Sequence, residues 1–256
     1  MAVNKTLKSS VRAVTKNRRV RNALAKSFGK ANSFWKALES EEFLKIYDRY
    51  SDYTRLSVEA FCANLAVVNT HGVGSGAVVE CGVWRGGMSA GMADILGSER
   101  RYYLLDSFEG LPSAEAIDGI KATDWQKSNA VDNCKTEESF ANDVMSKSSA
   151  TDFNVLKGWF SDTLEDVKGP ISVLRLDADW YSSTAECLNI LYDKVEVGGL
   201  IILDDYFAWD GCARAAHDFL AHNALADRIQ TVDTMLAFMI KKEAIETKPI
   251  DPKRSI

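Results

Sequence analysis

The chain has no apolar stretch near the roughly 18 residues that a membrane-spanning helix requires, and its opening residues lack the compact apolar core of a secretory signal. A soluble, cytoplasmic protein is expected. Its five cysteines, Cys62, Cys81, Cys134, Cys187 and Cys212, form no C-x-x-C pair and have no histidine beside them. Neither a zinc site nor a disulfide framework is indicated, and small core residues account for them. The glycine-rich turn at 82 to 87 does not fit G-x-G-x-x-G and does not end in Lys-Ser or Lys-Thr. That argues against the usual dinucleotide fold and against a P-loop. There is no internal repeat, and residues 1 to 30 contain no Asp or Glu.

The missing acids of that leader mark a charge division that the overall value of -5 conceals. Lys5, Lys8, Arg12, Lys16, Arg18, Arg19, Arg21, Lys26 and Lys30 lie within it, leaving 22 basic against 36 acidic residues, or -14, for the remainder. A basic arm (1–32) therefore precedes an acidic body. Val3, Leu7, Val11 and Val14 recur at helical spacing, so an amphipathic helix touching an anionic surface is one reading. A segment that covers the substrate is another, and neither a nucleic acid nor a stable membrane partner is expected.

The whole chain of 256 residues, 46% hydrophobic and 26% charged, suits one large α/β domain with a full core or one domain plus an appendage. Helical spacing at 34–48 and 55–70 predicts an N-terminal helical segment (33–75). Strands are then expected at about 77–81, 102–106, 153–157, 171–177, 199–204, 229–232 and 235–241. Helices are expected at about 87–97, 137–147, 183–194 and 211–223. Such alternation calls for a mainly parallel, doubly wound sheet (76–245), followed by a short tail (246–256). Only Asp233-Thr234 separate the last two strands, too few for a crossover, so these should form an antiparallel hairpin at the sheet edge. The long irregular stretch 107–136 reads as a lid or binding loop.

Three segments carry the chemistry: V-V-E-C-G-V-W-R-G-G (78–87), L-R-L-D-A-D-W-Y (174–181) and I-I-L-D-D-Y (201–206). Each is an apolar run that ends in acids or glycines, and open α/β sheets bind ligands at the carboxyl ends of such strands. Glu80, Asp177, Asp179, Asp204 and Asp205 are thus expected in one cleft, which needs a cation because crowded like charges suppress ionisation. The glycines of the first segment suit a sharp turn close to a ligand, and Asp106, ending the next strand, is placed to take ribose hydroxyls. Asp177, Asp204 and Asp205 offer the oxygen ligands that Mg²⁺ prefers. The plain alternative is that Asp204-Asp205 only ends a strand and starts a turn.

These segments, with L-L-D-S-F-E-G-L-P (104–112), L-K-G-W-F-S-D-T-L (156–164) and G-C-A-R-A-A-H-D-F (211–219), resemble the macrocin-type O-methyltransferases over roughly residues 54–240. Members of that family use S-adenosylmethionine and Mg²⁺ to methylate sugar hydroxyls of antibiotics. The resemblance implies a class I methyltransferase fold, an α/β Rossmann-like architecture whose seven-stranded sheet ends in an antiparallel hairpin. It places Glu80 and Gly82 beside the methionine portion of the cofactor, Asp106 and Ser107 beside its ribose, and Gly158 and Trp159 near adenine. It further implies that Asp177, Asp204 and Asp205 bind Mg²⁺ and that Asp179 is the general base. Ala213 stands where relatives commonly carry a second basic residue.

The expected partner is a small-molecule hydroxyl acceptor, glycosylated on the family pattern, and a homo-oligomer is expected. Trp84, Trp125, Trp159, Trp180 and Trp209 are candidates to stack on that acceptor or to fill the core. A catechol-type enzyme acting on a vicinal aromatic diol is the enzymatic alternative, and a binding module using the basic arm is the non-enzymatic one. A retired site has no physical reason to keep five mutually repelling carboxylates, which disfavours the latter.

Overall fold

The structure, a computed structural model, describes residues 40–254, so the basic arm and the start of the helix expected from residue 34 lie outside the described residues. Helix α1 (Glu41–Tyr50) starts where the Ser40 side chain accepts from the Phe43 amide, has Glu41 and Glu42 in its first turn, and buries Phe43, Leu44, Ile46 and Tyr50. Helix α2 (Val58–His71) is capped by Ser57 and ends at Gly72, and it is apolar enough to be buried over most of its surface.

Seven strands follow: β1 (Ala77–Cys81), β2 (Arg101–Asp106), β3 (Asp152–Lys157), β4 (Ile171–Leu176), β5 (Val195–Leu203), β6 (Gln230–Val232) and β7 (Leu236–Ile240). Between them lie α3 (Gly87–Leu96), α4 (Ile120–Ser128), α5 (Glu138–Ser146), α6 (Phe160–Thr163), α7 (Tyr181–Leu191) and α8 (Asp210–His222). The sheet order is β3-β2-β1-β4-β5-β7-β6. The first five strands of that order pair in parallel, and β7 runs antiparallel to both β5 and β6. The expected edge hairpin and mainly parallel sheet are therefore present.

Alternation along the strands divides the core into two layers. Val78, Tyr102, Leu104, Val173 and Ile202 pack on one face with residues of α1, α2, α3 and α5. Val79, Cys81, Leu105, Leu174, Leu176 and Leu203 pack on the other with α7 and α8. A strand buried on both faces reads as a continuous apolar run, and β1 and β4 are buried at every position.

Two expectations are corrected. The stretch 107–136 is not wholly irregular, since it holds a 3₁₀ turn (Ala116–Asp118) and helix α4. Strand β5 begins at Val195 rather than near 199. Gly198 and Gly199 break the sequence pattern, but a register shift opposite β4 keeps Val195 paired with Ile171. Among the described residues, no helix is long and apolar enough to cross a membrane.

Candidate active site

Strand order reverses direction at β1 and β4, and beyond their carboxyl ends lies a cavity of about 290 Å³. The residues assigned from the sequence to cofactor, metal and base all line it: Glu80, Gly82, Asp106, Ser107, Gly158, Trp159, Asp177, Asp179, Asp204 and Asp205. The segment 54–56 and the stretch 107–136 supply further walls, through Leu56, Leu111, Trp125 and others.

The first wall is the glycine turn. Gly82 has φ +83°, and a Cβ there would sit 1.9 Å from the Asp177 carbonyl oxygen, so only glycine lets the chain leave β1 this close to β4. The turn is tied to β2 by Asp106. Its Oδ2 accepts from the amides of Val83 (3.0 Å) and Trp84 (2.8 Å), and its Oδ1 accepts from Phe108 (2.7 Å). Burial pushes its pKa up, while those three amides oppose the shift. Ser107 organises the next turn, donating to the Gly110 carbonyl and accepting from the Glu109 amide. Asp106 and Ser107 thus shape the cavity wall as well as facing it.

Sequence reasoning missed the centre of the network, Arg175. In the parallel register it is the β4 partner of Glu80, and strand alternation turns both toward the layer formed by α2 and α3. The guanidinium is fully buried, with Nη1 2.5 Å from Glu80 Oε1 and 2.9 Å from Asp177 Oδ2, and Nη2 2.7 Å from Asp204 Oδ1. Its Nε donates to Asn64 Oδ1 at 3.0 Å, and Asn64 Nδ2 donates in turn to Asp204 Oδ1 at 3.0 Å. Ser89 of α3 donates to the other oxygen of Glu80. The cation that the crowded carboxylates demand is therefore, in part, built into the chain. A charged residue inside the apolar run I-S-V-L-R-L was the available signal, because an unpaired charge is not tolerated there.

The remaining acids meet at the ends of β4 and β5. Asp177 and Asp204 are fixed through their backbone amides to Cys81 and Leu176. Asp177, Asp179 and Asp205 bring carboxylate oxygens within 4.8 Å of one another. Asp204 stands beside this group with Oδ1 engaged by Arg175 and Asn64. Asp179 adopts a left-handed backbone, φ +56°, donates its amide to Asp205 Oδ2 (3.0 Å), and receives the indole N–H of Trp209 on Oδ1 (2.9 Å).

Crowding shows in the protonation of these groups. Burial pushes Glu80 up to about 7 in spite of the opposing Arg175 charge, and Asp177 up to about 6 by the same balance. Asp179 and Asp205 rise well above the usual carboxylate range, through burial first and then the charges of neighbouring aspartates. His217 pairs with Tyr206 at 2.8 Å and is not part of the cavity lining.

Three indoles cluster beside Asp179. Trp180, Trp125 and Trp209 meet edge to face, with ring centroids 5.3 Å (Trp180–Trp209), 5.8 Å (Trp125–Trp209) and 6.5 Å (Trp125–Trp180) apart. Trp180 is fully buried, whereas Trp125 and Trp209 line the cavity. Arg55, also in the lining, stacks over Trp84 and pairs with Asp132 at 3.1 Å.

Comparison with known proteins places this geometry. The chain is 36% identical over 167 residues to the 8-demethyl-8-(2,3-dimethoxy-alpha-L-rhamnosyl)-tetracenomycin-C 4'-O-methyltransferase of Streptomyces olivaceus, a match covering 62% of this chain and 63% of that protein. It is 36% identical over 169 residues to the demethyldecarbamoylnovobiocin O-methyltransferase of Streptomyces niveus, again covering 62% of this chain and 63% of the relative. The matches thus span less than two thirds of these relatives' length. Among solved structures, the O-methyltransferase NovP superimposes with a TM-score of 0.62 at 28% identity, over 75% of this chain and 83% of NovP. The family model of macrocin-O-methyltransferase (TylF) matches residues 53–241, which takes in every strand and all of the cavity's acidic residues, and the chain belongs to that family.

Proposed function

We propose that the protein is an S-adenosylmethionine- and Mg²⁺-dependent O-methyltransferase acting on a sugar hydroxyl of a small-molecule natural product. One observation carries the reading: a glycine turn suited to a close-lying ligand and a convergent carboxylate cluster open into the same cavity. A cavity lined by six carboxylates favours a cationic adenosyl amino acid over a nucleoside phosphate, because the one carries charges that the acids attract and the other charges that they repel. The kinship to enzymes named for O-methylation, one of them on a rhamnosyl compound, supports the reaction and the acceptor class.

The donor set fits the metal. Hard oxygen ligands in a group within 4.8 Å are what a divalent cation takes, and burial raises the proton affinity of these acids unless a cation offsets it. Asp177 and Asp205 would hold the ion, with Asp204 contributing through the oxygen that Arg175 does not engage. Bound there, Mg²⁺ supplies positive charge that makes an acceptor hydroxyl more acidic. S-adenosylmethionine supplies the methyl group.

The chain's own residues do the rest. Glu80 and the Gly82 turn hold the amino-acid end of the cofactor, and Gly158 and Trp159 its adenine side. Asp179 would take the proton of the acceptor hydroxyl on Oδ2, the oxygen opposite the one bound to Trp209, as that hydroxyl oxygen receives the methyl group. Burial, and then the charge of Asp177, raise its affinity for that proton. Alignment of sulfur, methyl and oxygen is the main requirement, and two rigid strand ends with an indole wall meet it.

Thermal denaturation tests the cofactor reading. S-adenosylhomocysteine should raise the melting temperature in proportion to the logarithm of its concentration, while NAD and ATP leave it unchanged. A shift with NAD and none with S-adenosylhomocysteine would overturn it.

A further inference from the structure

Asp179 has two possible roles that exclude each other. By position it is as well placed as Asp177 or Asp205 to ligate a cation, since all three carboxylates lie within 4.8 Å. As the base of the reaction proposed above, it must instead keep an oxygen for the acceptor's proton. Trp209 bears on this choice. Its Nε1–H donates to Asp179 Oδ1 at 2.9 Å, and a hydrogen that carries partial positive charge on that oxygen disfavours a cation on it.

Neither partner turns away easily. Trp209 is wedged by edge contacts to Trp180 at 5.3 Å and Trp125 at 5.8 Å. Trp180 is fully buried and anchored by its own indole N–H to the Pro112 carbonyl, 2.9 Å away. On the other side, the left-handed backbone of Asp179 is pinned by its amide to Asp205 Oδ2. A bond between two groups fixed in this way is directional, so the carboxylate is held to one orientation.

We propose that Trp209 is a positioning residue that keeps Asp179 out of the cation's ligand set and reserves it as the base. The inference rests on the assignment of Asp179 as the base. Without the indole N–H, Asp179 is free to join Asp177 and Asp205 around the ion. The site then gains a carboxylate ligand and binds the ion more tightly, because affinity rises with the number of charged ligands.

Mn²⁺ titrated calorimetrically into the full-length protein tests this without any acceptor. The proteins compared are wild type, Trp209→Phe, Asp179→Asn and the double variant. Phenylalanine keeps an aromatic ring against Trp180 and Trp125 but has no N–H. The expected result is that Trp209→Phe binds Mn²⁺ about tenfold more tightly. Asp179→Asn should bind no more tightly than wild type, and the double variant should lose the gain. Unchanged or weaker binding by Trp209→Phe, or a gain that survives in the double variant, overturns the proposal. If wild type binds no Mn²⁺, the metal assignment itself fails and this inference falls with it, an outcome distinct from failure of the inference alone.

Should Trp209→Phe not fold, the wild type labelled with ¹⁵N-tryptophan provides the same decision. The Trp209 indole resonance, assigned by its displacement in Asp179→Asn, should keep its hydrogen-bonded position when Mg²⁺ is saturating. An upfield move on adding Mg²⁺ would mean that the ion has taken Asp179, and would overturn the proposal.

Discussion

Replacing Arg175 by methionine tests the claim that one buried guanidinium holds the acid cluster together. Arg175 is fully buried, and its three acidic partners are exposed by only 2% (Glu80), 10% (Asp204) and 31% (Asp177). Removing one member of a buried pair typically costs about 3–5 kcal/mol, because the partner's charge remains without compensation. Glu80 carries nearly that full penalty, Asp204 part of it, and Asp177 little after solvent screening. Methionine recovers some of the lost packing, so a net loss of about 4 kcal/mol at pH 8 is expected.

The loss should depend on pH with a definite sign. Glu80 and Asp177 already sit up at about 7 and about 6 with Arg175 present, and Arg175 is the largest influence lowering them. Without it they rise further, so at pH 5 they are protonated in the variant and leave little charge stranded. The wild type meanwhile loses ionic partners for its guanidinium at that pH. The difference between the two proteins should therefore shrink to roughly half or less at pH 5. Urea unfolding followed by tryptophan fluorescence at pH 5 and pH 8 measures it. An equal loss at both values would refute the electrostatic account and leave only packing.

Three further outcomes are expected. Glu80→Gln should flatten the pH dependence of stability: in wild type, folding favours the protonated acid, so Glu80's contribution is fully present below about 4.5 and lost as pH rises through about 7, a span of about 3 kcal/mol that thermal melts across that window detect. Asp204→Asn should weaken Mg²⁺ binding and recover activity at high Mg²⁺. Asp179→Asn should lower turnover by roughly a hundredfold to ten-thousandfold with no rescue by metal, as Mg²⁺ titrations of both variants would show.

The sheet was legible because its strands are buried on both faces and therefore read as apolar runs of the right length, with β1 and β4 the plainest cases. Helix α4 was not, because of its residues only Ala122 is buried, and a helix without an apolar stripe has no period to detect. The site residues were legible as a group, since strand ends at a switch point share one cavity whatever their separation in sequence. Their partners were another matter. Arg175 finds its four contacts on β1, α2 and the ends of β4 and β5, and no local pattern announces a pairing that only the parallel register creates. Asp106 shows the same gap: its position was readable, but not that three backbone amides of neighbouring turns would occupy it. Trp209 was recognisable as an aromatic candidate, whereas its bond to Asp179 depends on the path taken between β5 and α8.

The proposed reaction in this cavity is methyl transfer to a hydroxyl. Its most direct test is to incubate the protein with S-adenosylmethionine carrying a labelled methyl group, Mg²⁺ and a small-molecule extract of the source organism, with Asp179→Asn in parallel. The expected product is a labelled methyl ether that forms with wild type, fails to form when Mg²⁺ is chelated, and is reduced at least about a hundredfold with Asp179→Asn. Label transferred equally by Asp179→Asn, or a product formed undiminished without Mg²⁺, would contradict it.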